Sequence, residues 1–244
     1  MTIQIMSRFN MTDEKLAGAT SDRDYSTVAS DFYFVIDCTQ TMQWVLDTIC
    51  QNLAKLVGIF EEGRLRMRYG ILEFRDSKVQ KEPMIQHKFG KSHFTADPSE
   101  LKKKLLSLTA KGGGPPKESV FDALKMAVEE PDWREDTTKI VVLFTDAQPH
   151  KPDVNVKSWQ ECCDVIEASG IDMLHLVVHK DYLDDYKKLR LIEDKEGNDL
   201  PGELLPLGDS KEAGTKLVDV LEGIGYSSQR LAAKNNAKGG FRGV

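Results

Sequence analysis

The chain has 244 residues, of which 40% are hydrophobic and 30% charged, and its formal net charge is −6. This composition fits one large globular α/β domain and excludes a fibrous or wholly disordered chain. The last eighteen residues carry four basic side chains and no acid, which leaves −10 (−6 minus 4) on the remainder and argues against a general nucleic-acid surface.

The sequence contains neither the apolar segments of a membrane or secreted protein nor a cysteine pattern typical of a metal site or redox motif. No apolar run reaches the roughly 18 residues that a membrane span needs, and the polar segment from Thr12 to Arg23 lacks the apolar core of a signal peptide. The four cysteines form no Cys-x-x-Cys pair and have no histidine at zinc-finger spacing, so we expect reduced thiols. These features predict a cytoplasmic protein without membrane contact.

The predicted elements alternate between strands and helices along the chain. Residues 1–29 are polar and predict an N-terminal arm, and the domain proper spans residues 30–226. Within it, the apolar run that ends at Asp37 is typical of a strand buried on both faces of a sheet. The later predicted strands cover residues 64–75, 84–89, 139–145, 171–178 and 203–207, and the predicted helices cover residues 42–60, 97–108, 118–128, 159–168, 182–189 and 210–224.

This alternation predicts a doubly wound α/β fold with a mostly parallel sheet. The segment over 84–89 is predicted to pair as an antiparallel edge strand with the strand before it. Residues 227–244 contain glycines and spaced basic residues, and we predict that they form a flexible basic tail.

Two of the predicted buried strands end in oxygen-bearing side chains. The first is followed by Asp37, Thr39 and Thr41, and the strand over 139–145 is followed by Asp146. Parallel sheets place their sites at the carboxyl ends of strands, and carboxylate and hydroxyl oxygens suit Mg²⁺ or Mn²⁺. Either aspartate alone would more often cap a turn or helix, but the four side chains together favour a metal site.

At these positions the chain resembles the von Willebrand factor A family, whose metal-ion-dependent adhesion site carries Asp-x-Ser/Thr-x-Ser/Thr after the first strand. The resemblance covers residues 30–226 and implies a Rossmann-like fold. It implies that Thr39 and Thr41 bind the metal directly, while Asp37 and Asp146 hold it through water. The chain looks closest to bacterial intracellular members, including those near kinases and phosphatases in stress or phage-defence gene groups.

The third loop departs from the family pattern. Pro115 stands after the glycines where relatives have an oxygen ligand. Either Glu118 or Ser119 substitutes for it, or water or a backbone carbonyl does, or the site is weak.

The resemblance implies a non-enzymatic module in which an acidic residue of a partner protein completes the coordination of the metal. Two alternatives stay open: a metal-independent scaffold on the same fold, and a magnesium-dependent phosphatase that uses Asp37 as nucleophile. The phosphatase would need a second aspartate at the position of Thr39, which cannot act as a general acid near neutral pH. The glycine-rich loop matches no nucleotide-binding signature.

Three further positions carry expectations. His150 follows Asp146 on the same loop and is the histidine expected near the site, whereas His175 lies in an apolar strand and is expected to be a core residue. Glu73, Arg75 and Asp76 end the second strand, where relatives often have charges near the site. For Arg75 and Asp76 a solvated turn is the favoured interpretation.

Overall fold

The computed structural model describes residues 28–62, 65–79, 83–113, 117–194, 196–208 and 214–239. Residues 1–27 of the predicted arm, Pro115, and residues 240–244 of the predicted tail lie outside this part of the chain. The described residues form nine strands: β1 Val28–Asp37, β2 Leu65–Phe74, β3 Met84–Gln86, β4 Phe94–Thr95, β5 Lys117–Glu118, β6 Thr138–Thr145, β7 Gln148–Pro149, β8 Met173–His179 and β9 Leu204–Leu207.

Seven of the described strands form one sheet in the order β3-β2-β1-β6-β8-β9, with β4 also paired to β2. The pairs that join β2, β1, β6, β8 and β9 are parallel, and the short strands β3 and β4 are antiparallel to β2. The prediction of a mostly parallel α/β sheet with an antiparallel edge is therefore confirmed. The helices of the described part are α1 Gln43–Glu62, α2 Pro98–Ser107, α3 Val120–Glu129, α4 Trp159–Ser169, α5 Leu183–Tyr186 and α6 Gly214–Gly239.

Helices cover both faces of the sheet because the central strands are apolar on both faces. Along β1, Phe32 and Phe34 pack with residues of α1, α2 and α6, while Tyr33 and Val35 pack with residues of α3, α4 and α5. The two cores are thus separated by a sheet whose order reverses beside β1, the place where doubly wound folds carry their sites.

The closing helix is longer than its sequence pattern predicted. We expected it to end near Ile224, but α6 continues to Gly239, so the prediction of a flexible tail is wrong for residues 227–239. The buried stripe continues through Ser228 and Ala232, which are fully buried, and Asn235 Nδ2 donates to Thr138 Oγ1 at 3.3 Å. Small side chains form this stripe, and for that reason it did not resemble a core-facing helix in the sequence.

Among the described residues, we find no helix that has both the length and the hydrophobicity to cross a membrane.

His175 is a buried core residue of β8, as predicted, and it makes stability depend on pH. Burial, reinforced by the charge of Arg190, lowers its pKa from 6.5 to about 3. Within the described part of the chain its Nδ1 atom has no hydrogen-bond partner. Between these two pKa values the unfolded chain binds one proton more than the folded chain, so the free energy of unfolding falls as pH falls from 6.5 towards 3.

We expect the variant His175→Leu to lose this dependence. Below pH 6.5 the free energy of unfolding of the parent should fall by about 1.4 kcal/mol per pH unit more than that of the variant. Urea unfolding of both proteins at pH 7 and pH 5 measures the difference. An identical pH dependence of the two proteins would show that His175 is not held neutral.

Candidate metal centre

The carboxyl ends of β1 and β6 bring together the side chains that the strand-end pattern predicted. Ile36 pairs with Phe144 in the parallel register, so Asp37 lies beside Thr145. Thr145 Oγ1 donates a hydrogen bond of 2.7 Å to Asp37 Oδ2. The sequence analysis treated Thr145 only as the end of a strand and did not predict its hydrogen bond to Asp37. Its position next to Asp146, on a strand predicted to lie beside the first, was the signal that could have identified it.

The first site loop is organised by Asp37. Its Oδ1 atom accepts hydrogen bonds from the backbone N of Thr39 at 2.9 Å and from Thr39 Oγ1 at 2.7 Å. Because the hydroxyl proton of Thr39 points to Asp37, the lone pairs of this oxygen are left for another ligand. Thr39 is buried, whereas Thr41 is exposed in the single 3₁₀ turn Gln40–Met42 that leads into α1.

The third loop places Glu118 in the same region. Glu118 lies in β5, which pairs with β7, and not in the helix where the sequence placed it. A Cβ atom added to Gly113 would lie 3.3 Å from Thr39 Cβ and 3.8 Å from Glu118 Oε1, so the glycine loop separates these two side chains. Gly113 has φ +100°, a conformation that favours glycine.

Ser119 serves the neighbouring loop. It is fully buried, and its Oγ atom accepts a hydrogen bond of 2.9 Å from the backbone N of Ser77. This contact ties the chain after β2 to the start of α3.

Carboxyl groups are crowded at this end of the sheet. Burial and the charge of Asp146 raise the pKa of Asp37 to about 6, despite the hydrogen bonds from Thr39 and Thr145. Burial and the charges of Asp37, Asp76 and Asp146 raise the pKa of Glu118 to about 9. Glu118 Oε2 is buried and, within the described residues, has no hydrogen-bond partner. A cation bound at this point would oppose the rise of both pKa values and would give the unpartnered oxygen of Glu118 a positive neighbour.

Asp76 and Arg75 also belong to the site, which corrects the interpretation of these residues as a solvated turn. Arg75 is 4% exposed and Asp76 is 1% exposed. Asp76 Oδ1 lies 2.9 Å from His150 Nε2, so His150 does face the site as predicted. Asp76 Oδ2 is a second buried oxygen without a hydrogen-bond partner in the described part of the chain.

Arg75 connects three segments that surround the site. Its Nε atom donates to the carbonyl oxygens of Cys38 at 3.1 Å and Lys111 at 3.2 Å, and one Nη donates to Thr109 O and Glu73 Oε2, each at 3.0 Å. Contacts with His87, whose Nε2 atom lies 3.3 Å from Glu73 Oε1, and with Arg75 overcome the effect of burial and lower the pKa of Glu73, so this carboxylate stays ionised. Arg75 thereby fixes the glycine loop against the end of β1.

The donor set fits a hard divalent cation only with its hydroxyls included. Among the residues that the structure describes, no group of three or more His, Cys, Asp and Glu side chains could hold a metal ion. A metal here therefore depends on the hydroxyls of Thr39 and Thr41 and on water.

Comparisons with known proteins agree with this architecture. A family model described as the von Willebrand factor A domain matches residues 31–188. The pilus adhesin SpaC from Lactobacillus rhamnosus GG has a similar structure, with a TM-score of 0.53 and 13% sequence identity over 81% of this chain. This chain spans 31% of the adhesin chain, and at this identity the likeness concerns the fold. No curated protein matches.

The family match covers more than half of the chain and includes the ends of β1 and β6 together with the glycine loop. The chain therefore belongs to the von Willebrand factor A domain family.

Proposed function

We propose that this domain is a non-enzymatic protein-interaction module that binds an acidic side chain of a partner protein through a divalent cation, Mg²⁺ or Mn²⁺. Membership of the family supports a role in protein interaction in general. The proposed cation site consists of Thr39 and Thr41 as direct ligands and of Asp37 and Asp146 acting through water. The proposed stress or defence context stays a prediction from the resemblance.

The observation that carries this proposal is the cluster of buried carboxyl groups behind Thr39. Burial and neighbouring carboxylates raise the pKa values of Asp37 and Glu118, and two buried carboxyl oxygens, Asp76 Oδ2 and Glu118 Oε2, lack a hydrogen-bond partner in the described part. Arg75 is the nearby cation, and Glu73 already pairs with it at 3.0 Å. A divalent cation would favour the ionised forms of these carboxyl groups at a site whose oxygens suit it.

The chain's own residues prepare such a site in three ways. Asp37 accepts a hydrogen bond from the hydroxyl of Thr39, which leaves the lone pairs of that oxygen for a cation. Exposed Thr41 lies at the surface of the same turn, where a partner has access. Glu118, held next to Gly113, supplies the carboxylate of the third loop that Pro115 cannot supply. When bound, the cation would act as a Lewis acid that accepts a carboxylate oxygen of the partner as a ligand.

The phosphatase alternative has less support. Asp37 is fully buried, and both of its carboxylate oxygens accept hydrogen bonds from threonine side chains. A nucleophile needs a free oxygen that reaches the substrate, and Thr39 cannot serve as the acid. These contacts suit a carboxylate that orients the hydroxyl ligands of a metal without binding it directly.

Calorimetric titration of chelator-stripped protein with Mg²⁺ and then Mn²⁺ tests the proposal. We expect binding to the parent chain and to the control variant Asp47→Ala, which removes an exposed carboxylate on α1. In Asp37→Ala the affinity should fall by at least about 100-fold, because Asp37 orients Thr39. Absence of binding of either ion to the folded parent at millimolar concentrations would leave the metal-independent scaffold.

A further inference from the structure

A groove with basic walls begins next to the proposed cation site. A cavity of about 440 Å³ lies between the β2–β3 edge and the segment after α2, and its lining includes Arg75, Ile85, Leu108 and Lys111. A second cavity of about 400 Å³ shares Ser107 with the first and is lined by Lys88, Phe89, Glu100, Lys103 and Lys104. We call the two cavities together the α2 groove.

The α2 groove and the cation site share a wall. Thr109, Lys111 and Gly112 line the first cavity, and Gly112 O accepts a hydrogen bond of 3.2 Å from the backbone N of Gln40 in the first site loop. Gly113, the next residue, lies against Thr39. A peptide whose carboxylate reaches the site therefore has the α2 groove as a direct continuation of its path.

The α2 groove is basic in a chain that is acidic as a whole. Lys88, Lys103, Lys104 and Lys111 line it, and within the described part of the chain none of them forms an ion pair. The charges of Arg75 and Glu73 cancel each other. The four lysines and Glu100 then give the lining of the groove a formal charge of +3, whereas the whole chain carries −6.

The α2 groove also has an apolar part. Leu108 is buried, Phe89 is half-buried, and Ile85 is 37% exposed on the edge strand β3. Pockets of a few hundred Å³ with such a mixed lining accept a bulky side chain together with polar contacts. A partner that fits would carry an apolar residue among its acidic ones.

We propose that the α2 groove binds an acidic peptide segment of the partner, with one apolar side chain seated between β3 and Leu108, beside the carboxylate that reaches the cation. This inference rests on the proposed function, because the same partner occupies both sites. A short acidic segment contacts the basic walls alone, whereas a long polyanion such as a nucleic acid also meets the rest of a chain whose net charge is −6. The charge balance therefore favours a peptide.

Fluorescence anisotropy with a defined probe tests the α2 groove. The probe is a fluorescein-labelled peptide of glutamate and aspartate residues around one phenylalanine, titrated with the full chain in the presence of Mg²⁺. The double variant K103E/K111E should weaken binding by at least about tenfold, since charge reversal opposes the probe directly. The control K188E/K234E changes the net charge equally at exposed lysines elsewhere and should bind like the parent.

Three further titrations complete the experiment. The probe is titrated with the parent chain in the presence of chelator and with the variant Asp37→Ala, and a labelled single-stranded DNA replaces the probe in the third. Binding that depends on Mg²⁺ and Asp37 but is unchanged in K103E/K111E overturns the groove while leaving the cation site in place. Binding that is lost in K103E/K111E but is indifferent to chelator and Asp37→Ala supports the groove and contradicts the proposed function. Absence of probe binding, or tighter binding of the DNA, overturns the assignment of an acidic peptide.

Discussion

Asp31→Asn is expected to lower the free energy of unfolding by about 3–5 kcal/mol, which is typical when one partner of a buried ion pair is removed. Asp31 is fully buried at the start of β1 and accepts hydrogen bonds from Arg68 at 2.7 and 2.9 Å and from Arg134 Nε at 2.9 Å. The variant leaves two largely buried guanidinium groups without their carboxylate. Urea unfolding at pH 7 measures the loss.

The pKa of Asp31 gives this prediction a second test. Burial alone would raise it, but hydrogen bonds from Arg68 and Arg134 lower it below the usual 3.8. The stabilisation is therefore present above the unfolded-state pKa and is lost as pH falls through the folded-state pKa. The difference between parent and variant should shrink in acid.

A surface ion pair provides the matched control. Lys55 and Glu222 lie 3.4 Å apart with side chains that are 59% and 41% exposed. Glu222→Gln should cost less than about 1 kcal/mol because water screens such pairs. Equal losses for Glu222→Gln and Asp31→Asn would mean that the Asp31 network is no stronger than a surface contact.

Arg75→Met is expected to cost about 3 kcal/mol or more and to release the glycine loop as well. The substitution leaves Glu73 without its arginine and removes the donor to the carbonyl oxygens of Cys38, Thr109 and Lys111. Urea unfolding measures the stability, and amide hydrogen exchange at residues 109–113 measures the order of the loop. Exchange there should be much faster in the variant.

The double variant Glu73→Gln/Arg75→Met separates the two roles of Arg75. It removes the uncompensated buried charge, so part of the lost stability should return. The carbonyl oxygens still lack their donor, so exchange at residues 109–113 should stay fast. Slow exchange at these residues in the single variant would contradict the role of Arg75 in fixing the loop.

The fold was largely predictable because its central strands are continuous apolar runs. The runs that end at Asp37 and Thr145 have the composition of strands buried on both faces, and β1 and β6 are adjacent and parallel in the sheet. The spacing of apolar residues likewise predicted α1. The spacing of apolar residues along the chain shows which side chains are buried, and these elements form because they bury those side chains.

Long-range contacts limited the prediction elsewhere. Arg75 and Asp76 are charged residues that follow a strand, a pattern typical of a solvated turn. Their contacts with Cys38, Lys111 and His150 explain why they are buried instead. The end of α6 was misplaced because Ser228 and Ala232 are small and pack in a close contact that carries no hydrophobic signal. Both errors come from partners distant in the sequence.

A crystal of this protein soaked in Mn²⁺ tests the central claim most directly, because anomalous scattering locates the ion. We predict one strong anomalous peak at the carboxyl end of β1 in contact with the hydroxyl oxygens of Thr39 and Thr41, and no such peak in a soaked crystal of Asp37→Ala. Absence of a peak in the parent, or a peak only at carboxylates remote from Thr39, would contradict cation-assisted binding at this site.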